Sequence, residues 1–363
     1  MEEEKKQSKA EQRAQARLEK VRAREEAKAM REEEERAREE EKTRAKAEAK
    51  TESKEGGKAK EEKKAAPKAL KVKGEKRIVT MSIEGTDLRL LYFSGKSVES
   101  WDSVAFNPQI LKVGQVADPA GLAAVIKNAF EGRDVTKAQV VCALPGLRSV
   151  SRVINIPKVS KKELALVVPR EVNKLMTISE EDNYIHWQPV TTEADKMDVF
   201  VLAVPKEPLT VFMEALNVAA IKPAAIDLKP LALARAVNQK DAIIACGESN
   251  SMELVIVVDD VPVLVRSVFL GEGIVTQDYA VGRISDELGR TILTYNEINK
   301  EHPLDPEVPI YLCGASAGGV PFALNVAALT GRTVQPLEPP LSLPANFPIA
   351  DFMVNVGLLL KVL

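Results

Sequence analysis

The stretch IVTMSIEGTDLRLL, residues 78–91, sets two apolar β-type runs around a turn containing Gly85, Thr86 and Asp87, with Arg89 just beyond it. Backbone N–H groups in such strand–turn–strand loops can face a phosphate, and a nearby basic side chain can pair with it. Phosphate-binding hairpins of this shape usually carry Asp before the turn and Gly at its tightest point. Here Ser82 and Glu84 occupy those places. A second turn, Gly247-Glu248-Ser249-Asn250, follows the apolar run AIIAC and precedes ELVIVV. Gly271 and Gly273 come after the next strand-like run, and Gly314-Ala315-Ser316 after IYLC. Glycines there would let a backbone approach a flat ligand closely. Plain turn geometry accounts for Gly85, Gly247 and Gly314 equally well. The chemistry these stretches suggest together is nucleotide binding in a cleft between two halves of the chain.

The elements that must position these loops can be read from periodicity. Ile78–Ile83 and Leu88–Phe93 make a hairpin, and a third strand follows near Ser97–Ala105. Pro119–Glu131 has helical spacing, and Ala138–Leu144 reads as a buried strand. Ser149–Ile156 alternates as a strand. Ser160 with Glu163 forms a capping box for a helix in which Pro169 should introduce a kink. Asp198–Val204 is a strand, Glu207–Ala219 a helix and Leu228–Val237 another helical piece. The opening theme then repeats. Ala242–Cys246, Glu253–Val258 and Pro262–Phe269 are strands, with Asp259-Asp260 as the tight turn of the last pair. Gly271-Glu272-Gly273 opens a helical region extending to Ser285–Tyr295, Ile310–Cys313 is a buried strand, and helices cover Ala323–Thr330 and Asp351–Leu360. A duplicated unit of three strands, helix and strand implies two related lobes.

Composition sets the remaining bounds. The 363 residues allow two domains or one bilobal domain, and 45% apolar residues suffice for a sizeable core. The net charge of −2 gives no argument for nucleic acid. It conceals a segregation: residues 1–72 are dense in Glu, Lys and Arg, with pairs such as Glu32/Arg36 suited to a solvated helix. Leu18, Val21 and Met30 are too few for a coiled-coil seam. Gly56-Gly57 and Ala65-Ala66-Pro67 break that tract into a linker, so residues 1–72 read as a charged, partly disordered extension. Cys142, Cys246 and Cys313 lie far apart in apolar runs, which reads as buried free thiols in a reducing compartment. His186 and His302 are isolated, and no metal-ligand spacing is present. No apolar run approaches the ~18–20 residues of a membrane span, so a cytosolic location is expected.

The sequence resembles the type IV pilus assembly protein PilM family of the actin-like (actin/Hsp70/sugar kinase) superfamily. The resemblance is carried by VVCALPGLRSVSRVINIPKVSKKELALVVPREVNKLM, IKPAAIDLKPLALARA, IIACGESNSMELVIVVDDVPVLVRSVFLGEG, IYLCGASAGG and NVGLLLK, in that order, across Lys73–Leu363. It implies an α/β, two-lobed actin-like fold. Lobe I would span 73–240 with a small inserted subdomain at about 145–205, lobe II 241–340, and a C-terminal helix at 350–363 would return to lobe I. It also implies ATP, with Mg, between the lobes. The partner it implies is PilN, an inner-membrane protein whose short cytoplasmic N-terminal segment sits in a groove beside the inserted subdomain, linking the membrane machinery to the pilus motor. That groove would lie near Arg152, Val153, Ile154 and Ile156 and the helix carrying Arg170 and Glu171, where plain core or solvated-face roles are the competing account. Such a protein works at the inner face of the cytoplasmic membrane.

This chain departs from the family at the phosphate loops. Where the family has Asp-Ile-Gly it reads Ser82-Ile83-Glu84, and where it has Asp-x-Gly it reads Ala245-Cys246-Gly247. Ser82 and Ala245 cannot supply the charge that orients magnesium. Glu84 and Glu248 bring carboxylates toward the phosphates, partly offset by Arg89. Hydrolysis is thus disfavoured, while binding without hydrolysis and no binding stay equally open. The expected role is a scaffold of a pilus or related secretion machine. The alternative is an active, ATP-using phosphotransferase or kinase of the actin-like fold, for which Asp227 is the candidate base. A membrane-bound cell-division actin homologue and the cytoplasmic half of a type II secretion protein rank lower. The body is expected to fold without residues 1–70. Loss of the cooperative melting transition on that truncation refutes the boundary.

Overall fold

The computed structural model describes residues 76–363, apart from 134, 136, 145–148, 193–194, 271–276 and 318. The chain first lays down the antiparallel strands β1 (Arg77–Glu84), β2 (Asp87–Ser94) and β3 (Ser97–Ala105). A short 3-10 turn and the two-residue strands β4 (Leu111–Lys112) and β5 (Gln115–Val116) lead to helix α1 (Pro119–Ala129). Asp118 caps α1 by accepting from the Gly121 N–H, and Pro119 fills the first turn, where no N–H is needed. Strand β6 (Gln139–Leu144) then joins β1 in parallel.

A smaller unit follows: β7 (Val150–Pro157), α2 (Lys161–Met176), β8 (Asn183–Thr192) and β9 (Lys196–Pro205), the strands ordered β7-β9-β8. The capping box of Ser160 and Glu163 starts α2 as expected, with the Ser160 N–H donating to Glu163. The helix runs on past Pro169 to Met176. Strand β8 escaped the sequence reading because Pro189 interrupts its pattern. Its register shifts between Pro189 and Thr191, and it is an edge strand, the two settings in which a sheet tolerates proline. The chain returns through α3 (Lys206–Val218), β10 (Ala225–Leu228) and α4 (Lys229–Val237), completing a five-stranded sheet of order β10-β6-β1-β2-β3.

The second sheet repeats this plan. Strands β11 (Ala242–Gly247), β12 (Ser251–Val258) and β13 (Val261–Phe269) form the meander, and β14 (Ile310–Cys313) and β15 (Val334–Gln335) add in parallel, giving β13-β12-β11-β14-β15. Asp259 and Asp260 both take positive φ at the β12–β13 turn, a conformation Asp tolerates better than most residues. Helices α5 (Gln277–Ile298) and α6 (Val320–Thr330) belong to this half, and α7 (Ile349–Leu360) closes the chain. Gly271 and Gly273 lie outside the described residues.

Period-two alternation sorts the strand side chains into layers. Val79, Met81, Leu88 and Leu90 face α1 and α3, packing with Leu122, Ile126, Phe212 and Leu216. Ile78, Leu91, Ile244 and Val255 face inward, onto α4 and α7, which lie between the sheets. Ile243, Ala245, Leu254 and Ile256 face α5 and α6. Both faces of the central strands of these two five-stranded sheets are covered, which is why those strands read as unbroken apolar runs. The two central helices cross at Gly357, where a Cβ would stand 1.9 Å from the Ala232 carbonyl oxygen. Gly357→Ala is therefore expected to cost at least ~1–3 kcal/mol by overpacking, read as a lower denaturation midpoint at unchanged m-value. An unaltered midpoint refutes the tight crossing.

Candidate functional site

The alternation that builds the layers also aims the polar residues. Ser82 and Glu84 share the inward face of β1 with Ile78, Arg89 shares that of β2 with Leu91, and Glu253 shares that of β12 with Val255. The two hairpin turns meet there. Gly85 takes φ +60°, which favours glycine, and a Cβ there would press on Ser249 Oγ at 2.6 Å. Gly314, at φ +86°, lies so close to the second turn that a Cβ would be 2.2 Å from the Gly247 carbonyl oxygen.

At this junction Arg89 donates to Glu248 through both terminal nitrogens, Nη1 to Oε1 and Nη2 to Oε2, each at 2.9 Å. It also donates to the Asp351 carbonyl of α7. Both side chains are 4% exposed. Burial works against the Arg89 charge, and the Glu248 carboxylate outweighs it, holding the guanidinium above its ordinary value. Burial and then Glu84 push the Glu248 carboxyl up, and Arg89 pulls it back. The fork-to-fork geometry decides for the ionised pair, since an arginine does not give up its proton. Alongside, Lys229 Nζ donates to Glu84 at 3.1 Å. Burial opposes the Lys229 ammonium, and Glu84 and Glu253 outweigh it, raising its pKa.

The remaining expected residues cluster unevenly. Ala315 donates its N–H to Glu248, and Ser316 donates its hydroxyl to the Glu248 carbonyl, so this loop is tied to the second turn. Thr86, Asp87 and Asn250 are half-buried and Ser249 is exposed at the rim. Ser82 donates to Asn355 Oδ1 at 3.0 Å, and Asn355 donates to the carbonyls of Thr80 and Arg89. Ala245 faces α5 and α6, away from the junction. Asp227 accepts from Arg235 at 3.0 Å and pairs with Lys361 at 3.3 Å. Sequence reasoning missed Lys229, Glu253 and Asn355. Each is a polar residue inside an apolar run, and a buried polar group requires a partner.

The small sheet offers a second locus. Its one face packs on α2, so Ile154 and Ile156 join Leu164, Val168, Val172, Val199 and Val201 in a compact core. The other face carries Val153 opposite Phe200, His186 opposite Leu202 and Tyr184 opposite Val204. That face overlooks a cavity of about 740 Å³, lined also by Leu209 and Met213 of α3, Ala225–Leu228 of β10, Leu231 of α4, and Lys361. A second cavity of about 510 Å³ adjoins Leu231 and holds Gln188, Phe200, Arg235 and Asn238. Arg152 and Arg170 are exposed and Glu171 is half-buried beside Lys174. None of these three lines either cavity.

A family model described as type IV pilus assembly protein PilM matches residues 83–275. No curated protein matches the chain by sequence. Among solved structures, a PilM–PilN type IV pilus biogenesis complex superposes with a TM-score of 0.61 at 24% identity, over 78% of this chain and 98% of that one. Ethanolamine utilization protein EutJ from Carboxydothermus hydrogenoformans gives 0.45 at 13% identity, over 78% and 89%. The cytoplasmic domain of EpsL, an inner-membrane component of the Vibrio cholerae type II secretion system, gives 0.44 at 12%, over 79% and 96%. The fold is the actin-like one.

Burial pushes Glu253 up to about 7, against the pull of Lys229 and of the Ser267 hydroxyl that donates to it. The folded protein then holds this proton more tightly than the unfolded chain. Stability from this group is complete below its ordinary value of 4.5 and is lost as pH rises through about 7. Glu253→Gln is expected to match the wild type at pH 4.5 and to melt higher at pH 8. Parallel pH–melting curves refute the assignment.

Proposed function

Because this chain belongs to the type IV pilus assembly protein PilM family, we propose that it is a scaffold holding a short cytoplasmic peptide of a PilN-like inner-membrane protein, with a nucleotide site too altered to hydrolyse ATP. The observation that carries this reading is the open apolar face of the small sheet over the cavity of about 740 Å³. Tyr184 is 47% exposed there, an aromatic surface that a docked chain would cover. In the superposed type IV pilus biogenesis complex, PilM is paired with PilN. An extended segment fits the space between the sheet face and β10–α4, with apolar side chains against Leu202, Leu209 and Met213. Its polar backbone would meet His186, Asp227 and Lys361, which line the same cavity. Recognition would then rest on apolar burial with a few polar anchors fixing orientation. Among the described residues no helix is long and apolar enough to cross a membrane, so in this reading the partner brings the protein to the membrane.

The loss of hydrolysis follows from the groups at the hairpins. Magnesium needs hard oxygen ligands, usually carboxylates with waters. The Ser82 hydroxyl is committed to Asn355, both Glu248 oxygens to Arg89, and Glu84 Oε2 to Lys229, which leaves Glu84 Oε1 as a single buried oxygen without a hydrogen-bond partner among the described residues, beside an ammonium that repels a metal ion.

The test is titration calorimetry with synthetic N-terminal cytoplasmic peptides of single-span membrane proteins encoded nearby. One peptide is expected to bind at micromolar concentration. Tyr184→Ala should weaken it about tenfold or more, since a buried aromatic contact is worth ~1–2 kcal/mol. Arg170→Ala and Glu171→Ala should leave it unchanged. No binder in the set, or a loss at Arg170 but not Tyr184, sinks the reading.

A further inference from the structure

Five ionisable side chains converge where the hairpins touch: Glu84, Arg89 and Lys229 from the first half, Glu248 and Glu253 from the second. Arg89 to Glu248 is a buried ion pair between the halves, and Lys229 faces carboxylates of both. A polyphosphate entering here would meet the Glu84 and Glu248 carboxylates, whose cations are already taken. Freeing Arg89 for it would strand Glu248 in a site that is 3% exposed.

The same charges are connected to the groove through two short helices. Lys229 is the first residue of α4, and Arg235 in its last turn lines the second cavity. Asp351, whose carbonyl holds Arg89, lies in the first turn of α7, and Lys361 directly after α7 lines the first cavity. The helices are fastened to each other where Arg235 donates to the Gly357 carbonyl at 2.8 Å and where Gly357 abuts Ala232. At the far end Arg235 and Lys361 share Asp227.

We infer that the Arg89–Glu248 pair, flanked by Lys229–Glu84, forms an internal ionic latch: together they fill the phosphate position, Arg89–Glu248 holds the two halves together without nucleotide, and the cluster sets α4 and α7 as the preformed wall of the peptide groove. Docking is then independent of ATP. The link to the groove rests on the docking role proposed above. The latch itself does not.

The experiment uses the full chain, with magnesium-ATP as the probe, calorimetry and thermal melting as the binding readouts, and hydrogen exchange as the structural one. The wild type should give no heat and no melting shift at millimolar magnesium-ATP. Arg89→Ala should lower the melting temperature by about 5–10 °C, as expected for stranding one member of a buried pair. It should also speed amide exchange at least tenfold in residues 229–238 and 349–361. The apolar double variant Arg89→Met/Glu248→Leu should regain most of the melting temperature, since it leaves no charge stranded. If Arg89→Ala does not fold, Glu248→Gln, which keeps the shape and one hydrogen bond, gives the same readings. Saturable ATP binding that is abolished by Arg89→Ala overturns the latch, as does an unchanged melting temperature. Faster exchange confined to the β1–β2 hairpin overturns the coupling to the groove. None of these readings uses a peptide. A sound latch with no peptide bound therefore fails only the docking role, and a bound peptide with unchanged exchange in α4 fails only the coupling.

Discussion

A charge withdrawn from water must be paired where it lies, and that constraint organises the centre of this molecule. Sheet alternation alone would carry Glu84, Arg89 and Glu253 into a dry interior between two sheets. Arg89 and Glu84 are tolerated because Glu248 and Lys229 arrive at the same point from other parts of the chain, and Glu253 because Ser267 donates to it. That arrival requires the two hairpin turns to touch, which in turn favours glycine at 85, where φ is positive, and requires it at 314, where a Cβ would meet the Gly247 carbonyl. It also requires α7 to run between the sheets, with Asn355 satisfying carbonyls on β1 and β2. Charge pairing and close packing thus select the same arrangement.

Much of this architecture was legible in the sequence, for a physical reason. A strand buried on both faces must be apolar throughout, so Ile78–Ile83, Ala242–Cys246 and Ile310–Cys313 announce themselves, and so does their repetition. Strand β8 did not, since an edge strand with one open face carries Tyr184, His186 and Gln188 and tolerates Pro189. The same openness that hid β8 from the pattern leaves a face free for the cavity beneath it.

The site was legible as loops but not as chemistry. Gly85, Gly247 and Gly314 were recognisable as turn residues, and the structure brings them together. Nothing local says that Arg89 is committed to Glu248, because the partner lies 159 residues away. Lys229 looked like one more helix-start residue, yet it lies beside a carboxylate 145 residues earlier. Ile154 and Ile156 looked like a binding strand. Their parity on β7 puts them under α2, and only Val153 reaches the open face.

The two-pronged geometry of Arg89 and Glu248 also bears on how this protein can change over generations. Replacing either residue alone leaves its partner buried and uncompensated, at a cost comparable with much of the stability of a typical domain, about 5–15 kcal/mol. Replacing both together is nearly free. The pair is therefore entrenched. Each residue holds the other in the genome as it does in the fold, and the two positions should vary in concert or not at all.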